Sequence, residues 1–294
     1  MKIAVASGKG GTGKTTIAVN LVLSVENANY LDCDVEEPNG HLFLNPDIEK
    51  EETVGRLLPE IGYDRCNFCG DCAKVCEYNA ITVLPKQVLL FEEMCHSCGA
   101  CAYFCPQNAI KETEKPIGIL REGKIYPEGC GFVEGRLNLG EMMASPLISH
   151  VKAKVQPDCI NILDAPPGTS CSMVETIRKA DYCLLVTEPT PFGLNDLKLA
   201  VEVLRIVGIP FGVVINKADA IFTTIEKYCK EQQISILMKL PFDRKLAEAY
   251  SRGEAEVRHY PELKSQFHQL LHNIETQILK RTQSDFISPQ LHKN

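Results

Sequence analysis

Two sets of residues in this chain have types and spacings that do chemistry. The first is Gly8-Lys9-Gly10-Gly11-Thr12-Gly13-Lys14-Thr15, which satisfies GxxxxGK[ST] between a β-prone run at residues 2–6 and helical apolar spacing at 15–25. Glycines at 8, 10, 11 and 13, with Thr12, let backbone amides curl around phosphate oxygens, and the following helix adds its positive end. Lys14 is placed to reach the β- and γ-phosphates, the Thr15 hydroxyl to ligate magnesium, and Thr16 to close the nucleotide contact. The second set is Cys66-x-x-Cys69-x-x-Cys72-x-x-x-Cys76 and Cys95-x-x-Cys98-x-x-Cys101-x-x-x-Cys105-Pro106. Eight of the fourteen cysteines fall in these two runs, and the start of the chain lacks the apolar run of a secretory signal. Such clustering predicts metal ligation in a reducing compartment rather than disulfides. Paired CxxC ligands are enough for zinc, so a third cysteine at CxxCxxC spacing points to iron–sulfur clusters instead.

These residues need a scaffold, and the rest of the chain supplies one. Apolar runs at 30–31, 160–163, 182–186 and 211–215 end at Asp32 and Asp34, at Asp164, near Glu188 and at Asn216. Each leads into a polar loop and then a helical pattern, as buried parallel strands with crossover helices do. The expected fold is α/β, a mostly parallel sheet flanked by helices. Between residues 61 and 111 the pattern changes to close-set cysteines, short strands and turns, and the α/β pattern resumes near Leu137. Residues 1–60 and 112–281 are therefore expected to form one discontinuous nucleotide-binding domain, 61–111 a small inserted α+β domain, and 282–294 a disordered tail. The pairs Ala80-Ile81 and Ala109-Ile110 follow the two cysteine runs and mark an internal repeat of 29 residues. Leu263, Phe267, Leu270, Leu271, Ile274 and Ile278 lie on one face of a helix that should dock on the parent domain.

Composition narrows the function classes. With 294 residues, 45% hydrophobic, the chain has enough material for one large domain or two smaller ones. A net charge of -7 without a basic stripe argues against nucleic-acid binding. No segment approaches the roughly 20 apolar residues of a membrane span, so a cytoplasmic location is expected.

The run KGGTGKTT, with Lys9 ahead of Lys14, resembles the deviant Walker A motif of the superfamily of MinD, chromosome-partitioning ATPases and nitrogenase iron protein. The resemblance covers the chain outside the insert. It implies ATP and magnesium as ligands, and a homodimer, or a heterodimer with a paralogue, closed around ATP. Lys9 then reaches the partner's nucleotide in trans, Asp34 orients the attacking water and Asp32 supports the water shell of magnesium. In Asp164-Ala165-Pro166-Pro167-Gly168, Asp164 holds magnesium through water and the Gly168 amide senses γ-phosphate. Lys9, Lys14, Asp34 and Asp164 form the implied catalytic set. Asn216-Lys217-Ala218-Asp219 resembles the purine-reading NKxD pattern, with Asn216 the adenine contact, and Pro241-Phe242-Asp243 resembles the loop that packs on the base.

The cysteine runs resemble bacterial ferredoxin, in which the fourth cysteine of each run ligates the other cluster. That resemblance implies two 4Fe-4S clusters, one on Cys66, Cys69, Cys72 and Cys105, the other on Cys95, Cys98, Cys101 and Cys76. Glu77 stands where proline is usual. Cys171, seven residues after Asp164, resembles the nitrogenase iron protein cysteine that holds a cluster across a dimer, with Cys130 as a candidate second ligand. The function implied is an ATP-hydrolysing iron–sulfur protein that couples nucleotide state to electron transfer toward a redox partner. The alternative is a cluster carrier or metallocofactor assembly ATPase with client proteins. A MinD-like positioning role gives no reason for the cysteines.

Overall fold

The structure, a computed structural model, describes residues 1–218 and 221–287, with side chains to residue 280. Its strands are β1 (Lys2–Ala6), β2 (Ala28–Asp32), β3 (Asp47–Ile61), β4 (Ile81–Leu84), β5 (Gln87–Leu90), β6 (Ile110–Ile125), β7 (Cys130–Leu137), β8 (Ile160–Asp164), β9 (Tyr182–Thr187), β10 (Phe211–Ala218) and β11 (Ile236–Pro241). The helices are α1 (Lys14–Ser24), α2 (His41–Leu44), α3 (Asp71–Lys74), α4 (Ala100–Tyr103), α5 (Ala144–Ala153), α6 (Cys171–Ile177), α7 (Pro191–Val207), α8 (Thr224–Glu231), α9 (Arg244–Ser251) and α10 (Pro261–Ile287).

Nine strands form one sheet in the order β11-β10-β9-β1-β8-β2-β7-β6-β3. From β11 to β7 every pairing is parallel, so the loops after β1, β2, β8, β9, β10 and β11 all emerge at one edge, where ligands bind in open α/β sheets. Alternation along β1 divides the core between the two faces. Ile3 and Val5 pack with Ile17, Leu21, Phe267, Leu270 and Ile274 under α1 and α10, while Ala4 and Ala6 pack with Leu147, Ile148, Leu197 and Val201 under α5 and α7. The face of α10 docks as its spacing predicts. That helix runs on to Ile287, over the first residues read as a tail, and 288–294 lie outside the described residues.

The far side of the sheet differs from the sequence reading. β3 and β6 are one long antiparallel hairpin, paired from Asp47↔Lys124 to Ile61↔Ile110. Only from Gly118 onward does β6 also pair with β7, so residues 55–61 and 110–116 leave the sheet as a two-stranded stalk. Two antiparallel steps separate β3 from β7, so β3 runs in the same sense as the parallel strands. The stalk therefore carries residues 62–109 out from the same edge as the phosphate loop.

Between the stalk ends the 29-residue repeat is visible in the backbone. α3 and α4 occupy matching positions, and left-handed residues recur in pairs: Phe68 and Ser97, Gly70 and Gly99, Asn79 and Asn108. β4 and β5 form a separate hairpin, and Leu58, Ala80 and Cys95 make a small core with Cys76 and Leu90 packed on it.

Candidate functional site

The phosphate loop follows β1 and opens α1. Gly11 and Gly13 have φ of 78° and 87°, conformations that glycine adopts without strain. A Cβ on Gly13 would lie 2.1 Å from Asn216 Nδ2, whereas one on Gly10 or Gly11 would meet nothing within 4 Å, leaving the loop open on its ligand side. The Thr12 hydroxyl is buried without a hydrogen-bond partner, a polar group that a phosphate oxygen would satisfy.

Lys14 donates to Asp164 Oδ1 at 2.8 Å and lies 3.9 Å from Asp34. Burial disfavours its charge, but the carboxylates of Asp164, Asp34 and Asp32 outweigh that and hold its pKa above the usual lysine value. Asp164 accepts a second bond, on Oδ2, from the buried Tyr30 hydroxyl at 2.8 Å. Burial, opposed by Lys14 and reinforced by Asp164, pushes Asp34 up to about 6. Asp32 is fully buried, and burial together with Asp164 raises it well above the carboxylate range. Its oxygens accept backbone N–H groups from Asp34, Asn39 and Gly40, so Asp32 shapes the loop after β2. A Cβ on Gly40 would lie 2.3 Å from the Tyr30 hydroxyl oxygen, which ties the same loop to Asp164 through Tyr30.

Lys9 turns back onto Glu188 of its own chain at 2.5 Å, and Lys217 approaches the same carboxylate at 3.4 Å. The Gly168 amide, expected to face γ-phosphate, donates to the Ser7 carbonyl at 2.9 Å. Asn216 donates to the Thr12 carbonyl at 2.9 Å, bracing the phosphate loop. Beside it lies a cavity of about 420 Å³ lined by Gly11, Gly13, Thr16, Asn216, Pro241, Phe242 and Tyr250 among others. Its mixture of apolar walls and few polar groups suits a nucleoside. Asp219 lies outside the described residues.

The eight tip cysteines line two cavities. Cys66, Cys69, Cys72 and Cys105 surround one, and Cys95, Cys98, Cys101 and Cys76 the other, so each takes its fourth thiol from the other run. The Ala80 and Ala109 amides donate to Cys76 Sγ and Cys105 Sγ, both at 3.3 Å. Among the described residues no group of three or more His, Cys, Asp or Glu is set to hold a single metal ion. Four thiols spread around a cavity, with amides aimed at sulfur, suit a polynuclear cluster better than the tight tetrahedron of zinc.

Over residues 3–257 the chain matches the CobQ/CobB/MinD/ParA nucleotide binding domain. It belongs to that family. Two relatives from Methanocaldococcus jannaschii, both named as uncharacterized proteins, support the assignment. One is 30% identical over 88% of this chain and 92% of its own, the other 38% over 74% and 78%. A protein named iron-sulfur cluster carrier protein from Pyrococcus horikoshii is 24% identical over 86% of this chain and 77% of its own. Among solved structures, the septum site-determining protein MinD of Pyrococcus horikoshii, complexed with Mg-ADP, superposes with a TM-score of 0.60 at 18% identity, covering 92% of this chain and 94% of that one. The MinD-type fold is thus shared, with the hairpin and tip set on its sheet edge.

One expectation is corrected. Cys130 opens β7 next to the Asn29↔Gly131 rung, at the opposite end of the strands from the phosphate loop, and its buried thiol donates to the Val22 carbonyl at 3.7 Å. Cys171 is exposed at the start of α6, beyond the far end of β8. The two cannot share a bridging cluster in this fold. Cys33, Cys183 and Cys229 are buried as small apolar residues, and Cys159 is half-buried. Tyr30 and Gly40 give no signal in the sequence, because an aromatic in a strand and a glycine in a loop carry no distinctive spacing. No helix among the described residues is long and apolar enough to cross a membrane.

Proposed function

We propose that this member of the MinD/ParA family binds and hydrolyses MgATP and uses it in handling iron–sulfur clusters for client proteins. ATP phosphates would replace Asp164 at Lys14, with Thr15 and Asp164 facing magnesium, Asp34 facing the attacking water and the base in the cavity by Asn216 and Pro241. Relatives named as iron–sulfur cluster carriers favour this class of role over cell-division positioning. The observation that carries the proposal is the pair of four-cysteine cavities at the tip of a hairpin leaving the nucleotide edge. Each would hold one 4Fe-4S cluster, a group able to take up and release one electron.

A second reading, ATP-coupled electron delivery, is favoured by the crossing of the ligands. Neither set of four thiols can be vacated without taking a ligand from the other run, which suits resident redox centres better than cargo. One anaerobic experiment separates the two. Reconstituted protein, expected to hold close to eight irons and eight sulfides per chain, is mixed with MgATP and an apo 4Fe-4S acceptor protein. Loss of iron from the donor with gain by the acceptor supports the carrier. Full retention of iron, with one electron lost per reduced cluster and gained by a holo acceptor, supports electron delivery. Stoichiometric zinc without acid-labile sulfide would sink both.

A further inference from the structure

Arg56 lies in the stalk one residue beyond the irregularity at Val54 and Gly55, paired with Lys115, and its side chain is only 2% exposed. Its guanidinium holds three groups from two parts of the chain. Nη1 donates to the carbonyl of Cys95 at 2.7 Å, Nη2 donates to the carbonyl of Glu92 at 3.0 Å, and Nη2 lies 3.2 Å from Glu141 Oε1. Nε is buried without a partner. A buried guanidinium costs several kcal/mol of desolvation unless its charge is compensated, and here one carboxylate does that. Glu141 lies in the loop after β7, whose start is fixed by the Leu137 amide on the carbonyl of Val35, the residue after Asp34, and by the Asn138 amide on the Ile117 carbonyl. A short run of direct contacts thus joins the loop that carries Asp34 to the backbone of a cysteine in the second cavity.

The two cavities are unequal in this respect. The cavity of Cys66, Cys69, Cys72 and Cys105 is lined by no Asp, Glu, Lys or Arg, whereas that of Cys95, Cys98, Cys101 and Cys76 has Glu112 in its lining and, behind it, Arg56 on the carbonyl of one ligand. A cation near a cluster favours its reduced, more negative form, and in a low-dielectric site that effect is strong.

We infer that Arg56 is a positioning residue that sets the potential of the second cavity's cluster and, through Glu141, makes it sensitive to nucleotide. This rests on the proposal that the cavities hold clusters. Moving Glu141 relative to Arg56 alters the net charge beside that cluster alone.

The test is an EPR-monitored redox titration of anaerobic, full-length protein with and without MgATP. In wild type, MgATP should shift one of two midpoints and leave the other in place. Arg56→Gln should make the same midpoint more negative, Glu141→Gln should make it more positive, and both should lose the nucleotide shift while basal ATPase is unchanged. Opposite signs from the two variants are not expected of mere loosening. Equal shifts of both midpoints, shifts of the same sign, or loss of iron from both variants would reduce Arg56 to a structural buttress and overturn the inference. If wild type binds no iron, the cluster reading itself fails, and the coupling is read by hydrogen exchange at residues 92–95. Nucleotide should then change their protection in wild type but not in Glu141→Gln, and no change in wild type overturns it.

Discussion

Lys9 and Lys14 are five residues apart in one loop, yet one pairs with Glu188 near the surface and the other with Asp164 in the interior. Lys9 is bound to Glu188 with both side chains partly exposed, a pair whose worth is about 0–1 kcal/mol, so reaching toward a second nucleotide costs little. Lys14 is the buried counter-charge of Asp164 and Asp34, and removing it strands those carboxylates. Lys14→Ala should therefore abolish MgATP binding and also cost about 3–5 kcal/mol of stability. Lys9→Ala should keep the melting temperature and nucleotide binding, and lose turnover by about 10³ to 10⁵-fold if it acts in trans. Normal hydrolysis by Lys9→Ala would refute that role. Asp34 gives a separate test without nucleotide or magnesium. Its pKa is raised to about 6 in the fold, so the fold binds the proton more tightly than the unfolded chain does. Its contribution favours the fold below about pH 4, declines as pH rises and levels off above about pH 6. Across that window wild type should lose roughly 3 kcal/mol relative to Asp34→Asn, measured by urea unfolding. Parallel curves for the two proteins would disprove the burial account.

At the scale of elements, the β3–β6 hairpin decides how separable the tip is. Ile61 and Ile110 are the last partners in register, and the Gly62 amide still reaches the Ala109 carbonyl at 2.7 Å. Cross-strand neighbours this close can be joined by a two-residue type I′ turn such as Asn-Gly. Replacing residues 62–109 by that turn should leave a folded protein that binds MgADP as wild type does and carries no iron; an insoluble product would mean that the tip and parent fold as one unit. Legibility in the sequence follows the same physics. β1, β8, β9 and β10 are buried on both faces and read as apolar runs; the phosphate loop and the cysteine runs stand out by spacing, Asp34 and Asp164 by their places after apolar strands, and the structure sets the loop and both carboxylates together. β3 was not legible, since its first half, Asp-Ile-Glu-Lys-Glu-Glu, lies exposed at the sheet edge and has no apolar alternation to detect. Arg56 was hidden too, because a lone arginine in a strand reads as solvated until the fold closes Glu92, Cys95 and Glu141 around it.

For the whole molecule, the direction of the strands brings both kinds of chemistry to one edge. β3 runs with the parallel strands, so the cysteine tip, Lys9 and the loops bearing Asp34 and Asp164 all face the same way. Leu139 and Met142 after β7 and Phe192 at the start of α7 are exposed at that edge as well, apolar surface that a soluble monomer has no reason to gather beside a charged site. A second copy seated there would cover these side chains, take Lys9 from Glu188 and place a tip at each end of the seam. The expected occupant needs ATP, because the γ-phosphate supplies the charge that Lys9 would exchange for Glu188. In Asp34→Ala, which should bind ATP but hydrolyse it slowly, MgATP should double the mass seen by analytical ultracentrifugation, and MgADP should not. Combining Leu139→Ser with Phe192→Ser in that background should keep the chain monomeric with ATP bound. A monomer in every nucleotide state would show instead that Lys9 works within its own chain, and that Glu188 is its permanent partner.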